Sequence, residues 1–254
     1  MNSNWRHIWT ITKKELKSYF STPLAWVLIV VFLLLSQGFA FLFGGLLERQ
    51  DASLSAFFLY IPWIFMVFAP AVGMRLWSEE HRLGTMELLM TLPISAWHAI
   101  VGKFLAASVI LFISLALTFP AWITINWLGD PDNGIVFSGY IASFLVGITF
   151  LAVTGVISAL TRSMVVSFIV ALFICMGMIM SGWPNITSFL DGLSDGWMGI
   201  LVDDLGQQVS QLSVLTHYNE LTKGIVVSSD LIFFASVIGF CLYLTAVILK
   251  TKRA

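Results

Sequence analysis

The chain has 254 residues, of which 58% are hydrophobic and only 11% are charged, against about a quarter charged in an average soluble domain. This composition does not fit a water-soluble globule, and a net charge of −1 gives no reason to expect nucleic acid as a partner. The two cysteines, Cys175 and Cys241, lie inside apolar runs, so the sequence predicts neither a disulfide framework nor a cysteine-based zinc site.

Residues 1–22 form the first predicted element, an amphipathic elbow helix. At 3.6 residues per turn its large apolar residues share one face and its basic residues share the opposite face. The apolar face is Trp5, Ile8, Trp9, Leu16, Tyr19 and Phe20, and the basic face is Arg6, Lys13, Lys14 and Lys17. This pattern predicts a helix that lies at the membrane interface. Two functions stay open for it, a simple anchor and a relay of motion.

Six apolar runs of 19 to 26 residues follow, each long enough to cross about 30 Å of hydrocarbon. They are residues 23–47, 56–76, 104–127, 135–160, 164–183 and 231–249. We therefore predict an all-α polytopic membrane protein with six spans in one domain, residues 1–254. The longest segment outside the runs, residues 184–230, has 47 residues, whereas a soluble catalytic domain generally needs about 100.

Basic residues outside the runs predict the orientation. With both termini in the cytoplasm, eleven Lys and Arg lie on the inner side and two on the outer side, as the positive-inside rule requires. The inner residues are Arg6, Lys13, Lys14, Lys17, Arg75, Arg82, Lys103, Arg162, Lys250, Lys252 and Arg253, and the outer ones are Arg49 and Lys223.

Ionisable side chains do not occur deep within the six runs, and Arg75 sits at the inner end of the second. Ion-coupled transporters and intramembrane enzymes commonly need such groups near mid-membrane. A stand-alone secondary transporter or channel and an intramembrane enzyme are therefore the weaker alternatives. The four histidines fall in separate segments, so no metal site is predicted.

Small residues recur at helical spacing in spans four and five. They are Gly139, Ser143, Gly147, Gly155 and Ala159 in one span and Ser163, Ser167, Ala171 and Cys175 in the other. Such stripes let helices approach closely. With so few residues between the spans, we expect a tight antiparallel hairpin packed along these two faces.

The inner loop of residues 77–103 is the most informative polar segment. Acidic residues before His81 and Arg82 suit a short helix, which Gly84 interrupts. Thr85 can then cap a second short helix over residues 86–90. The apolar side chains of that helix exceed what a solvated turn requires, so they predict a docking surface for another protein.

The string SEEHRLGTMELLMTLPIS in this loop resembles the corresponding loop of type-2 ABC transporter permeases, with the gliding-motility GldF-like permeases as the nearest subgroup. The likeness extends to TPLAWV at the start of span one and to HYNELTKGIVVSSDLIFF before span six. In that family the loop forms a coupling helix that seats in a groove of a separate ATPase subunit. The resemblance therefore implies ATPase contacts for Glu79, Glu80, Arg82, Thr85, Met86, Glu87 and Leu88.

The segment between spans five and six is acidic and interrupted by glycines, which predicts short interfacial or re-entrant helices over residues 184–230. Members of the family place an outer gate at this point. The resemblance implies that residues 213–223 belong to the gate. The gate residues would be Leu212, Leu215, His217, Tyr218 and Leu221.

An ATP-binding loop is not expected in this chain. The Gly102-Lys103 dipeptide is followed by Phe104 and lacks the first glycine of the phosphate-loop motif. The resemblance implies a non-catalytic subunit of the bacterial inner membrane that contains neither a cofactor nor a metal. Its expected activity is transport, either as export or as extracytoplasmic work. Its implied partners are the lipid bilayer, two copies of an ABC ATPase that bind ATP and Mg²⁺, a second permease, identical or related, and an accessory protein with an extracytoplasmic domain.

Overall fold

The computed structural model describes residues 3–43, 53–86, 95–183, 186, 188, 210–225 and 227–251. These residues are nearly all helical and include no strand, which confirms the predicted all-α polytopic class. Five of the described helices are long and apolar enough to cross a membrane. A sixth apolar helix, in the position of the predicted fifth span, has 17 residues.

The helices, in chain order, are α1 (Ser3–Ser21), α2 (Pro23–Gly38), α3 (Ser55–Gly73), α4 (Arg75–Leu83), α5 (Ala96–Ala116), α6 (Phe119–Leu128), α7 (Asn133–Leu160), α8 (Met164–Met180), α9 (Val214–Thr222) and α10 (Ser228–Thr251). A π-helical turn, Phe39–Phe43, continues α2.

Several helices begin or end away from the boundaries of the predicted apolar runs. The helix of the second run continues beyond residue 76, because α4 prolongs α3 to Leu83. The third begins at Ala96 instead of residue 104 and breaks between α5 and α6, just before Pro120. The fifth ends at Met180 instead of residue 183. Apolarity marks where the bilayer ends, whereas a helix continues as long as its backbone groups find partners.

Helix α7 is the centre of the bundle. Within its most apolar window 72% of residues are buried inside the protein, against 28% for α2 and 22% for α10. The two peripheral helices therefore expose apolar faces to whatever surrounds the molecule. Helices α1 and α4 lie at one end of the bundle, called the α4 end below, and α6 and α9 lie at the opposite end.

Gly139 and Gly147 of α7 pack against rings of α3, so the prediction that these two glycines face α8 was wrong. A β-carbon on Gly139 would lie 2.5 Å from the ring of Phe58, and one on Gly147 would lie 3.0 Å from the ring of Phe65. These glycines accommodate bulky rings of α3, which small side chains on α8 do not require. Helices α7 and α8 do contact each other as the predicted hairpin.

Candidate coupling site

The junction between α3 and α4 is held by Ser158 of α7. The Ser158 hydroxyl accepts hydrogen bonds of 3.0 Å from the backbone N–H groups of Trp77 and Ser78. It donates one of 2.9 Å to the Met74 carbonyl, to which the Ser78 hydroxyl also donates. Unsatisfied backbone groups are costly in a membrane protein. These bonds therefore fix the direction in which α4 leaves the bundle.

Arg75 connects α4 to the end of α1. Its Nε lies 2.9 Å from the Glu79 carboxylate, and its guanidinium lies over the Tyr19 ring, 5.0 Å from the centroid. The Tyr19 hydroxyl donates a hydrogen bond of 3.1 Å to the Val72 carbonyl. Burial raises the pKa of Tyr19 above its usual range, although Arg75 opposes this shift, so the phenol stays a neutral donor.

Lys103 of α5 lies between α1 and α4 and is only 3% exposed. Its Nζ donates a hydrogen bond of 3.0 Å to the Leu76 carbonyl and another to the Glu80 carboxylate. The Glu15 carboxylate lies 3.4 Å from the same Nζ. One ammonium thus lies between two carboxylates that belong to different helices.

Helices α1 and α5 approach closely at Gly102. A β-carbon on Gly102 would lie 2.8 Å from Cγ2 of Ile11, so only glycine lets α1 pack here without displacement. The Thr12 hydroxyl is 3.1 Å from the Gly102 carbonyl. Helix α1 is therefore packed on the protein along one face, beyond what a membrane anchor requires.

The predicted apolar face of α1 divides in two. Trp5 and Trp9 are 63% and 60% exposed, whereas Tyr19 is buried and Phe20 is half-buried. Placing Tyr19 on the membrane-facing side was therefore wrong, because its phenol is bonded inside the protein. Lys13, Lys14 and Lys17 are exposed, as predicted.

The contacts of α4 with Ser158, Lys103 and Tyr19 form a packed base. The far end of α4 projects from this packed base. Arg82 and Leu83 are exposed, and Gly84 ends the helix with a φ of 68°, a conformation that favours glycine. Thr85 and Met86 are half-buried. Glu87, Leu88 and most of the predicted second helix lie outside the described residues. Of the predicted contact residues, Glu79 is paired with Arg75 and Glu80 is turned inward to Lys103.

The predicted gate residues lie at the opposite end. Tyr218 and Leu221 of α9 are buried, Leu215 is half-buried and Leu212 is exposed. His217 Nδ1 lies 2.7 Å from the buried Asp230 carboxylate of α10. Most of the segment 184–209 lies outside the described residues.

The packing at the two ends differs. A cavity of about 510 Å³ lies at the opposite end, between the start of α3, the start of α7 and α9. At the α4 end, the void beside Leu76 and Trp77 measures about 10 Å³. Close packing of α1 on α5 is shown at Gly102, where a β-carbon would lie 2.8 Å from Ile11, and a contact that transmits displacement requires such packing.

Comparison with known proteins decides the family. Residues 9–251 match the family described as ABC-2 family transporter protein, a match that runs from α1 to the end of α10. The chain belongs to this family. It is accordingly a multi-pass membrane permease of the ABC transporter class. A search of the curated proteins finds no match.

The sequence did not reveal which residues of this ABC-2 permease form the packed base. Lys103 was counted as an inner basic residue and compared with the phosphate-loop motif, Glu15 was counted only among the inner acidic residues, and Ser158 was not singled out. A lysine directly before an apolar run, with glutamates in two neighbouring amphipathic segments, is the pattern that would have indicated them.

Proposed function

We propose that this permease couples ATP hydrolysis by a separate ATPase subunit to transport across the bacterial inner membrane, with the α4 end and both termini in the cytoplasm. Family membership supports the role as a membrane subunit. The observation that carries the proposal is the end of α4, where exposed Arg82 and Leu83 project from a base fixed by Ser158 and Lys103. A rigidly held, exposed helix end suits a contact that must transmit force.

The orientation is supported by exposed charge. Seven basic residues at the α4 end are exposed among the described residues, as the cytoplasmic side of a membrane protein favours. They are Arg6, Lys13, Lys14, Lys17, Arg82, Arg162 and Lys250.

Within this proposal only some of the residues that the resemblance assigned to the ATPase contact touch the ATPase directly. Arg82, Thr85 and Met86, together with Glu87 and Leu88, meet the ATPase directly. Glu79 and Glu80 act by holding α4 in place, because their carboxylates face Arg75 and Lys103.

The assembly has two ATPase subunits, each binding ATP and Mg²⁺, and two permeases, identical or related. The exposed apolar faces of α2 and α10 leave room for a second permease as well as lipid. We further propose that the chain belongs to the GldF-like subgroup and that the complex works in export or in extracytoplasmic work. An accessory protein binds over the opposite end. Helix α9 then belongs to the outer closure.

A cross-linking experiment tests the proposed contact. In a background in which Cys175 and Cys241 are alanine, a single cysteine replaces Arg82 or, as a control at the opposite end, the exposed Leu212. We expect the cysteine at 82 to cross-link to the ATPase and the one at 212 not to. Equal cross-linking at both positions, or none at 82 in a complex that hydrolyses ATP, contradicts the proposal.

A further inference from the structure

Lys103 has an environment that the family match does not explain. A lysine ammonium carries three N–H donors. Three acceptors lie within 3.4 Å of its Nζ: the Leu76 carbonyl, the Glu80 carboxylate and the Glu15 carboxylate. The Trp77 ring covers the ammonium, with its centroid 5.3 Å away. All the directions in which the ammonium can donate are therefore occupied.

The contacts of Lys103 join three helices. Lys103 belongs to α5, Leu76 and Glu80 to α4, and Glu15 to α1. Separating two buried, paired charges is strongly unfavourable, because each is left without compensation in a low-dielectric surrounding. A displacement of α4 away from α5 would leave the buried Lys103 ammonium without the Glu80 carboxylate, whose side chain is 20% exposed. Moving α4 together with α1 and α5 keeps all the contacts.

The charges in this cluster are unbalanced. Two carboxylates share one ammonium, and Oε2 of Glu80 is buried without a hydrogen-bond partner among the described residues. A cluster that served stability alone would be satisfied more simply by apolar side chains. The charged arrangement instead makes the relative position of the three helices specific, since only one placement of α4 brings Glu80 onto Lys103.

We propose that Lys103 is the positioning residue of the coupling site. It makes α1, α4 and α5 one body, so that a displacement of α4 reaches the elbow and the third span together. The source of that displacement, the ATPase, rests on the proposed function. The mechanical link among the three helices does not, and it is measurable in the permease alone.

Two variants separate positioning from charge compensation. Lys103→Met keeps the aliphatic stem but leaves Glu15 and Glu80 without their cation, so we expect it to lower thermal stability. The triple variant Lys103→Met, Glu15→Gln, Glu80→Gln removes the uncompensated charge as well, and we expect most of the stability to return. Both variants lack the contacts of the Lys103 ammonium that join α5 to α1 and α4. Lys250→Met, which removes an exposed lysine of α10, is the matched control.

The first measurement uses spin labels at the exposed positions Lys17 and Arg82, one on α1 and one on α4, in the permease reconstituted without ATPase. Wild type and Lys250→Met should give one narrow distance distribution. Lys103→Met and the triple variant should lose it in favour of a broad one. A triple variant as narrow as wild type overturns the proposal.

The second measurement is the stimulation of ATP hydrolysis in the complex. We expect the triple variant to lose stimulation by about tenfold, within the range of coupling between distant sites, although its stability has recovered. Recovery of stimulation together with stability also overturns the proposal, because Lys103 would then only compensate charge. If wild-type permease stimulates no ATPase, the proposed function fails, and the spin-label distances still decide the role of Lys103.

Discussion

The Tyr218 hydroxyl donates a hydrogen bond of 2.7 Å to the backbone carbonyl of Phe58. In a continuous helix that carbonyl accepts from the N–H four residues later, but this residue is Pro62, which has none. Tyr218 of α9 therefore supplies the missing donor near the start of the second span. A residue that the resemblance assigned to the outer gate thus also completes the backbone of α3.

Replacing Tyr218 with Phe should lower the free energy of unfolding by about 1 kcal/mol, because the Phe58 carbonyl stays buried and loses its donor. The measurement is thermal stability in detergent. Tyr243→Phe is the control, since Tyr243 is 59% exposed on α10. Equal stability of the two variants would contradict the role assigned to Tyr218.

Replacing a glycine with alanine should have different effects on stability at a glycine in the contact between α3 and α7 and at a glycine of α8 in open space. Gly139→Ala places a β-carbon 2.5 Å from the Phe58 ring and should destabilise the protein by about 1–3 kcal/mol. Gly177→Ala meets nothing within 4 Å and should be neutral or stabilising by up to about 1 kcal/mol. Thermal stability of both variants checks this, and the packing is wrong if Gly139→Ala is as stable as Gly177→Ala.

His217 and Asp230 should show strong energetic coupling, because their hydrogen bond of 2.7 Å joins α9 to the buried start of α10. A double-mutant cycle with His217→Gln and Asp230→Asn should give an interaction free energy of about 1 kcal/mol or more. The control cycle combines His217→Gln with Glu79→Gln at the α4 end. That distant pair should be additive, and additivity of the first pair would show that the two elements are not joined through these residues.

The elbow helix predicts three different environments for labels on α1. A nitroxide at Trp9 should be accessible to oxygen dissolved in lipid, and one at Lys14 to a water-soluble relaxing agent. A nitroxide at Thr12, which is buried against α5, should be shielded from both. Equal exposure at positions 9 and 14 contradicts the interfacial assignment.

Apolar run length was sufficient to predict the helical class and five long apolar helices with a shorter sixth, since a bilayer imposes both a length and a composition. It did not predict where helices end, because α4 continues into polar surroundings through contacts such as Arg75 with Glu79. Gly84 was correctly predicted to end the short helix, since its left-handed conformation is a local property.

Contacts between separate helices, in the coupling site and at the opposite end, were not predictable from the sequence. Pro62 has no N–H, so a carbonyl of α3 lacks its helix donor, but the sequence could not show that Tyr218, from α9, replaces that donor. The same holds for Lys103, whose partners Glu15 and Glu80 come from two separate helices. Such contacts depend on how the helices pack, and no local pattern encodes that arrangement.

Purification from native membranes tests the central claim most directly. The chain, tagged at one terminus and extracted in mild detergent, should retain an ABC ATPase in equimolar amount, and a Leu83→Asp substitution at the exposed end of α4 should release that ATPase while the permease stays folded. The account is contradicted if the wild-type chain is recovered in a transport-competent form without any ATPase, or if Leu83→Asp retains the ATPase and its stimulation unchanged.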